Sequence, residues 1–265
     1  MILQDLTPMI WDKQLSIMEA VREKILHAPS QNSLQTYRYY MLKKGTTDRL
    51  FVFFTGIPPL GHFENPYYFE WCQFAQTHLA GHNCLFVRDS NNFWYLHPSD
   101  SSLMRTEVLE LIESIRLSLS IPRQHVTGIG CSAGATAAID VISVGAYGKA
   151  VSFSAQLDFS LDMQLMEQYE ETYRPRYAIE KQIVAAGHYP NLLPSFFFSS
   201  PASHFLLIWG QRNVVDNTIH KETEDRLSQK KGGGNIHFIP IDTEEHNSAA
   251  LYNQLTLRNH LLKND

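Results

Sequence analysis

Cysteine is scarce in this chain of 265 residues: there are three, Cys72, Cys84 and Cys131. They are odd in number and widely spaced, which speaks against a disulfide framework or a zinc site and fits a reducing compartment. Long apolar runs are missing too. "LFVFF" and "SFFF" fall far short of the roughly 20 residues that a membrane-spanning helix needs. The opening "MILQDLTPMIWDK" has an acid early and no apolar segment after a basic start, so no secretory signal is read there. A large charge excess is also lacking. The formal net charge of −5 gives no bulk attraction for nucleic acid. No internal repeat or low-complexity linker interrupts the chain, and "KKGGG" reads as a helix end and turn. The remainder is ordinary for a globular protein, 44% hydrophobic and 18% charged, with enough length for one large core. The expectation is a single cytoplasmic domain over residues 1–265, with no transmembrane segment, no metal and no bound cofactor.

From about residue 49 two kinds of segment alternate. Apolar runs, "RLFVFF", "NCLFVRD", "HVTGIGC", "KAVSFSA", "HFLLIWG" and "NIHFIPID", read as strands. Between them lie "PYYFEWCQFAQTHLAG", the stretch from Ser99 to Ser120 that ends before Pro122, and the small-residue "AGATAAIDVISV". Each has helical character, and a helical stretch follows each of the last two strands. This rhythm predicts an α/β fold, a mostly parallel central sheet with helices on both faces. Upstream, "WDKQLSIMEAVREKIL" reads as helix and "SLQTYRYYMLKKG" alternates like an edge hairpin strand. The segment at about 156–203 breaks the rhythm and is expected to form a lid-like insertion above the sheet.

The chemistry concentrates at "GIGCSAG", residues 128–134, between a strand and a helix. Gly130-Cys131-Ser132-Ala133-Gly134 fits a nucleophile elbow, in which small residues two before and two after the serine let neighbouring backbone approach. A helix N-terminus at that point favours developing negative charge. The same letters fit a dinucleotide fingerprint, G-x-G-x-x-A. That motif expects an acid at the end of the next strand, and "AVSFSA" ends without one; the nearest is Asp158. A purely structural strand-to-helix corner is the third reading. Cys131 lies one residue off the apex and reads as a small packing residue.

A serine needs a base, and the base an orienting acid, in the chain order Ser, acid, His for an α/β-hydrolase fold. Of the six histidines after Ser132, only His246 lies in a loop just past the last strand; His204, His220, His237 and His260 fall in strands or helices, and His188 in the insertion. In "HFLLIWGQRNVVDNT" Asp216 is the only carboxylate of the loop. It stands three residues beyond Asn213, the position at which many such enzymes carry the acid, and its other reading is a helix N-cap. Asp242 is the reserve candidate. For the oxyanion hole, one N–H is expected from Ala133 and one from the loop "FTGIPPLGHF", where Pro58 and Pro59 have none. Ile57 is the first choice there. Gly56 permits the turn and is the second.

Ser132 in "GCSAG", Asp216 in "GQRNVVD" and His246 in "EEHNSA", with "FVFFTG" and the overall length, resemble the capsule polysaccharide O-acetyltransferases of α/β-hydrolase type. The likeness runs from about residue 35 to the end, although the triad motifs are shared with many hydrolases. The resemblance implies acetyl-CoA as acetyl donor and a capsular acceptor, a polymer of N-acetylmannosamine 1-phosphate acetylated on ring hydroxyls. Association with other capsule-synthesis enzymes would follow. The insertion holds Arg174, Arg176, Lys181 and His188 near Tyr169, Tyr173 and Tyr177. Cations suit phosphodiesters and aromatic faces suit sugars, so Arg174 and Arg176, with Gly56, are the candidate substrate contacts. A serine esterase or thioesterase uses the same triad. A catalytically silent scaffold acting as a binding module is the reading from another class.

Overall fold

The computed structural model describes residues 39–57, 69–89, 101–168, 199–228 and 235–263, together with Tyr95, Lys181, Ala185 and Phe196. Seven apolar segments form strands: β1 (Tyr39–Lys43), β2 (Leu50–Phe54), β3 (Asn83–Arg88), β4 (Val126–Cys131), β5 (Lys149–Phe153), β6 (His204–Gly210) and β7 (Asn235–Ile241). The described helices are α1 (Cys72–His78), α2 (Ser101–Ser118), α3 (Ala133–Val144), α4 (Phe159–Gln168), α5 (Val214–Ser228) and α6 (Gln254–Leu262). One sheet collects all seven strands in the order β1-β3-β2-β4-β5-β6-β7, parallel except for β1.

Strands β2 to β5 are buried along their whole length, as expected of strands covered on both sides. Alternate residues then serve two cores. Leu50, Val52 and Phe54 face one side with Leu111 and Ile112 of α2, Ile139 and Ile142 of α3, and Val215 and Ile219 of α5. Phe51 and Phe53 face the other with Cys72, Phe74 and Ala75 of α1 and Leu257 and Leu261 of α6. Each such buried large side chain contributes about 1.5–3 kcal/mol by leaving water. Two buried lysines tie connections to the sheet. Lys43 Nζ donates to the Leu79, Ala80 and His82 carbonyls, and Lys149 Nζ to those of His260 and Lys263, at the C-terminus of α6.

The first strand differs from its sequence reading in one respect. It lies at the sheet edge, but it does not form a hairpin with β2. Both edges of β2 are taken by the parallel neighbours β3 and β4, so β1 pairs antiparallel with β3, Tyr39 opposite Arg88. Among the described residues no helix is long and apolar enough to cross a membrane.

The register positions the site. Phe54 lies opposite Gly130, Cys131 opposite Phe153, and Phe153 opposite Ile208. The C-terminal ends of β2, β4, β5 and β6 therefore sit side by side, with Gly210 of β6 opposite Ile241 of β7. Loops leaving that edge converge where parallel α/β sheets place their ligands.

Candidate active site

The turn from β4 into α3 is a single residue, Ser132, at φ 53° and ψ −124°. A non-glycine residue there costs on the order of 1–3 kcal/mol and persists only where its surroundings enforce it. Here the backbone does so. The Ser132 N–H donates to the Phe153 carbonyl at 2.8 Å, and the Ser132 carbonyl accepts from Ala135 and Thr136 at 2.9 and 3.1 Å. The two flanking glycines are sterically required. A Cβ on Gly130 would lie 2.3 Å from the Gly134 carbonyl carbon, and one on Gly134 would lie 2.2 Å from the Phe54 carbonyl oxygen.

His246 Nε2 lies 2.9 Å from Ser132 Oγ. Its Nδ1 lies 2.9 Å from both carboxylate oxygens of Asp216. A carboxylate accepts only, so the proton sits on Nδ1, and Nε2 is left to accept the serine O–H. Asp216 is almost fully buried. The three side chains arrive from the ends of β4, β6 and β7 and form one hydrogen-bonded chain.

Asp216 is inside α5, not at its cap. The cap is Asn213, whose Oδ1 accepts the Asp216 N–H at 3.0 Å. The Asn213 Nδ2 reaches the Glu244 carbonyl at 3.0 Å, two residues before His246. Asn213, at the spacing where many such enzymes carry the acid, therefore holds the helix that carries Asp216 and the loop that carries His246. Gly210 is bare because that loop presses on it: a Cβ would lie 2.8 Å from the Glu245 carbonyl oxygen. Asp242, the reserve candidate, is exposed and pairs with Arg212 at 2.8 Å.

Behind the acid, His220 donates from Nδ1 to the Asp216 carbonyl at 2.8 Å and stacks on Trp209. Burial pushes its pKa down to about 4, so it is neutral at pH 7. Cys131 is buried as well, its thiol pushed well above the ordinary value by burial. Its Sγ faces Asn247 Oδ1 at 3.5 Å, beside His246. That environment suits a packing residue and disfavours a thiolate.

On the oxyanion side, Ala133 is the first residue of α3, and its N–H has no acceptor among the described residues. The loop after β2 passes against the elbow, with Gly56 packed so that a Cβ would lie 2.8 Å from the Cys131 carbonyl oxygen. The Gly56 N–H donates to Glu70 Oε2 at 2.9 Å. It is thereby occupied; among the described residues of that loop, Ile57 is the other candidate donor. Burial pushes Glu70 up to about 7, the Gly56 N–H offsetting part of the effect. Sequence reasoning missed Glu70, Asn213 as a clamp, and Gln156, whose Nε2 lies 3.4 Å from Ser132 Oγ. None of these belongs to a motif, and only the fold brings them to the site. Pro58, Pro59, Arg174, Arg176, His188 and the tyrosines of the insertion lie outside the described residues.

No protein-family model matches this sequence, and no curated protein matches it. Solved structures do match in shape. The capsule O-acetyltransferase of Neisseria meningitidis serogroup A superposes with a TM-score of 0.63 at 13% identity, covering 88% of this chain and 96% of that one. A variant of the same enzyme in complex with CoA superposes with a TM-score of 0.60 at 12% identity, covering 84% and 91%. The Pyrococcus furiosus esterase Pf2001 gives 0.54 at 14% identity, covering 81% and 79%. With the mostly parallel seven-stranded sheet, these likenesses establish the α/β-hydrolase fold.

Proposed function

We propose that this protein is a serine-dependent O-acetyltransferase that moves acetyl from acetyl-CoA to hydroxyls of a phosphate-linked capsular polysaccharide. The observation that carries the reading is the hydrogen-bonded chain Ser132–His246–Asp216, with the serine held at a positive φ on a strand-to-helix corner. The likeness to a capsule O-acetyltransferase, known also with CoA, supports the choice of donor and acceptor.

In this reading His246 Nε2 takes the Ser132 proton as Oγ attacks the thioester carbonyl. The Oγ–C bond forms and the C–S bond breaks, with His246 returning the proton to the leaving CoA thiolate. Asp216 holds the imidazole tautomer and stabilises its charged form. The N–H groups of Ala133 and Ile57 receive the oxyanion, and the N-terminus of α3 adds its dipole. His246 then deprotonates a sugar hydroxyl, which takes the acetyl group and releases Ser132. Transfer in preference to hydrolysis requires water to be kept out, the role assigned to the insertion at about 156–203 as cover of a single domain. Arg174 and Arg176 would meet acceptor phosphates. The reaction belongs in the cytoplasm, where acetyl-CoA and the other capsule-synthesis enzymes are at hand.

A serine esterase or thioesterase is the second reading, favoured by the equal fit of the same triad to water as acceptor and by the likeness to an esterase. The test is acetyl-CoA turnover with and without a polymer of N-acetylmannosamine 1-phosphate, with mapping of acetyl groups on the product. Acceptor-dependent CoA release with acetyl on sugar hydroxyls supports the transferase. Acetate released at one rate regardless of acceptor makes the protein a hydrolase. Ser132→Ala should lose about 10³- to 10⁶-fold in turnover while folding normally.

A further inference from the structure

Gln156 stands three residues past the end of β5 and is completely buried. Its backbone is pinned to α3 by one hydroxyl: the Gln156 N–H donates to Thr136 Oγ1 at 3.1 Å, and Thr136 Oγ1 lies 3.2 Å from the Gln156 carbonyl oxygen. The chain reaches this position through Ser154, another non-glycine residue at positive φ, 50°. Ser154 is held by its N–H to the Ile208 carbonyl at 2.7 Å and by its hydroxyl to Ser248 at 3.0 Å. Strain at Ser154 and two bonds at Thr136 thus aim one side chain. Its Nε2 lies 3.1 Å from the Ser154 carbonyl oxygen and 3.4 Å from Ser132 Oγ.

The orientation of that amide is decided by chemistry. A carbonyl accepts only, so the group facing the Ser154 carbonyl must be NH2; the flipped amide would set two acceptors against each other. NH2 carries two hydrogens, and both the Ser154 carbonyl and Ser132 Oγ lie within hydrogen-bond distance of it. Oγ has two lone pairs and one hydrogen. It accepts from Gln156 while donating to His246 Nε2.

We propose that the Gln156 side-chain amide is a catalytic hydrogen-bond donor to Ser132 Oγ, acting when that oxygen carries charge. The inference rests on Ser132 being the nucleophile. At 3.4 Å the bond to a neutral hydroxyl is long and weak. Charge on Oγ shortens and strengthens it. An interaction that is worth more in the transition state than at rest accelerates the step. Oγ gains charge twice, as it loses its proton to His246 and attacks the acyl carbon, and again as the leaving oxygen when the acyl-enzyme breaks down. Gln156 therefore serves both half-reactions, whereas the Ala133 and Ile57 N–H groups address the other oxygen of the tetrahedral intermediate.

The experiment compares wild type with Gln156→Met, which keeps length and bulk and removes the donor. A fluorophosphonate probe reports attack by Oγ alone. A stopped-flow burst with p-nitrophenyl acetate separates acyl-enzyme formation, with release of p-nitrophenolate, from its breakdown by water. Both steps and the labelling rate should fall about 10- to 100-fold, while the protein stays folded with its melting temperature lowered by several degrees, because Met leaves the buried Ser154 carbonyl without its partner. Wild-type rates in a folded Gln156→Met protein overturn the proposal. If the variant does not fold, the crystal structure of the wild-type phosphonate adduct decides: Gln156 Nε2 within hydrogen-bond reach of Oγ supports it, and an amide turned away overturns it. Failure of the underlying reading looks different, because the probe would then leave Ser132 unlabelled in the wild-type protein.

Discussion

Two corners of the site are built by different means. The serine corner, where β4 turns into α3, is fixed by backbone: a positive φ, three main-chain hydrogen bonds and two glycines with no room for a methyl group. The histidine–aspartate corner, where β6 enters α5 beside the loop after β7, is fixed largely by side chains. Asn213 caps α5 and grips the Glu244 carbonyl, His220 braces the Asp216 carbonyl, and Asn247 meets Cys131. A nucleophile that must be exposed at a fixed angle has few side-chain contacts available to hold it, so the main chain carries the load. A base that exchanges protons, the role proposed for His246, is better held by groups whose charge and tautomer matter. Disturbing the two corners should therefore give different signatures.

The largest effect is expected on the chemical side of the second corner. Asp216→Asn removes the charge that stabilises the imidazolium and permits the wrong histidine tautomer. The amide occupies the same buried space, so the fold should persist while kcat drops about 10³- to 10⁴-fold. Circular dichroism and turnover together check this. If Asp242→Asn is the damaging change instead, Asp216 is not the acid that orients His246.

Next comes the backbone corner. Gly130→Ala sets a Cβ 2.3 Å from main-chain atoms of Gly134, which cannot swing aside as a side chain does. The strand and helix must move apart, at about 3 kcal/mol or more. Activity and thermal stability should fall together, in contrast to Asp216→Asn. A Gly130→Ala protein with wild-type melting and activity would show that the elbow tolerates more than its packing allows.

Asn213→Ala probes the clamp and should be milder. Loss of an N-cap costs about 1 kcal/mol of stability. Releasing the His246 loop should lower kcat about tenfold with KM little changed, because a misplaced base affects the chemical step more than binding. Asn213→Asp restores an oxygen acceptor for the Asp216 N–H but cannot donate to the Glu244 carbonyl. Its second oxygen then faces that carbonyl, acceptor against acceptor in a buried place, so it should restore the melting temperature at most in part and the rate no better than alanine.

The same contrast explains what the sequence made legible. Strands of continuous apolar residues and helices between them gave the fold class. The elbow was readable because backbone strain demands glycine at fixed spacing, and spacing is visible in one dimension. His246 was singled out by its place after the last strand, and the structure sets its Nε2 2.9 Å from Ser132 Oγ. Asn213, Glu70 and Gln156 were not, since their roles arise from side chains that meet across 31, 14 and 24 residues of chain. The spacing rule pointed at Asn213 for the acid, and the structure explains why the residue there is uncharged: it works as cap and clamp. The partner of β1 was missed because strand order in a sheet depends on which edges are already taken.

The smallest effect concerns Glu70, whose carboxylate accepts the Gly56 N–H beneath the oxyanion loop. Burial raises its pKa from 4.5 to about 7. Between those values the folded protein holds a proton that the unfolded chain has already released. Stability contributed by that proton is full below pH 4.5 and is lost as pH rises through about 7. Glu70→Gln keeps an oxygen acceptor for Gly56 and removes the titration. Its melting temperature, measured from pH 4 to pH 8, should run level with wild type at the acid end and gain on it as pH rises. Glu70 keeps some exposure to solvent, which screens part of the effect, so the gain should be a few degrees or less. Turnover should change little, since the loop keeps its anchor. Parallel melting curves would mean that Glu70 is ionised across the range, with the Gly56 N–H outweighing burial.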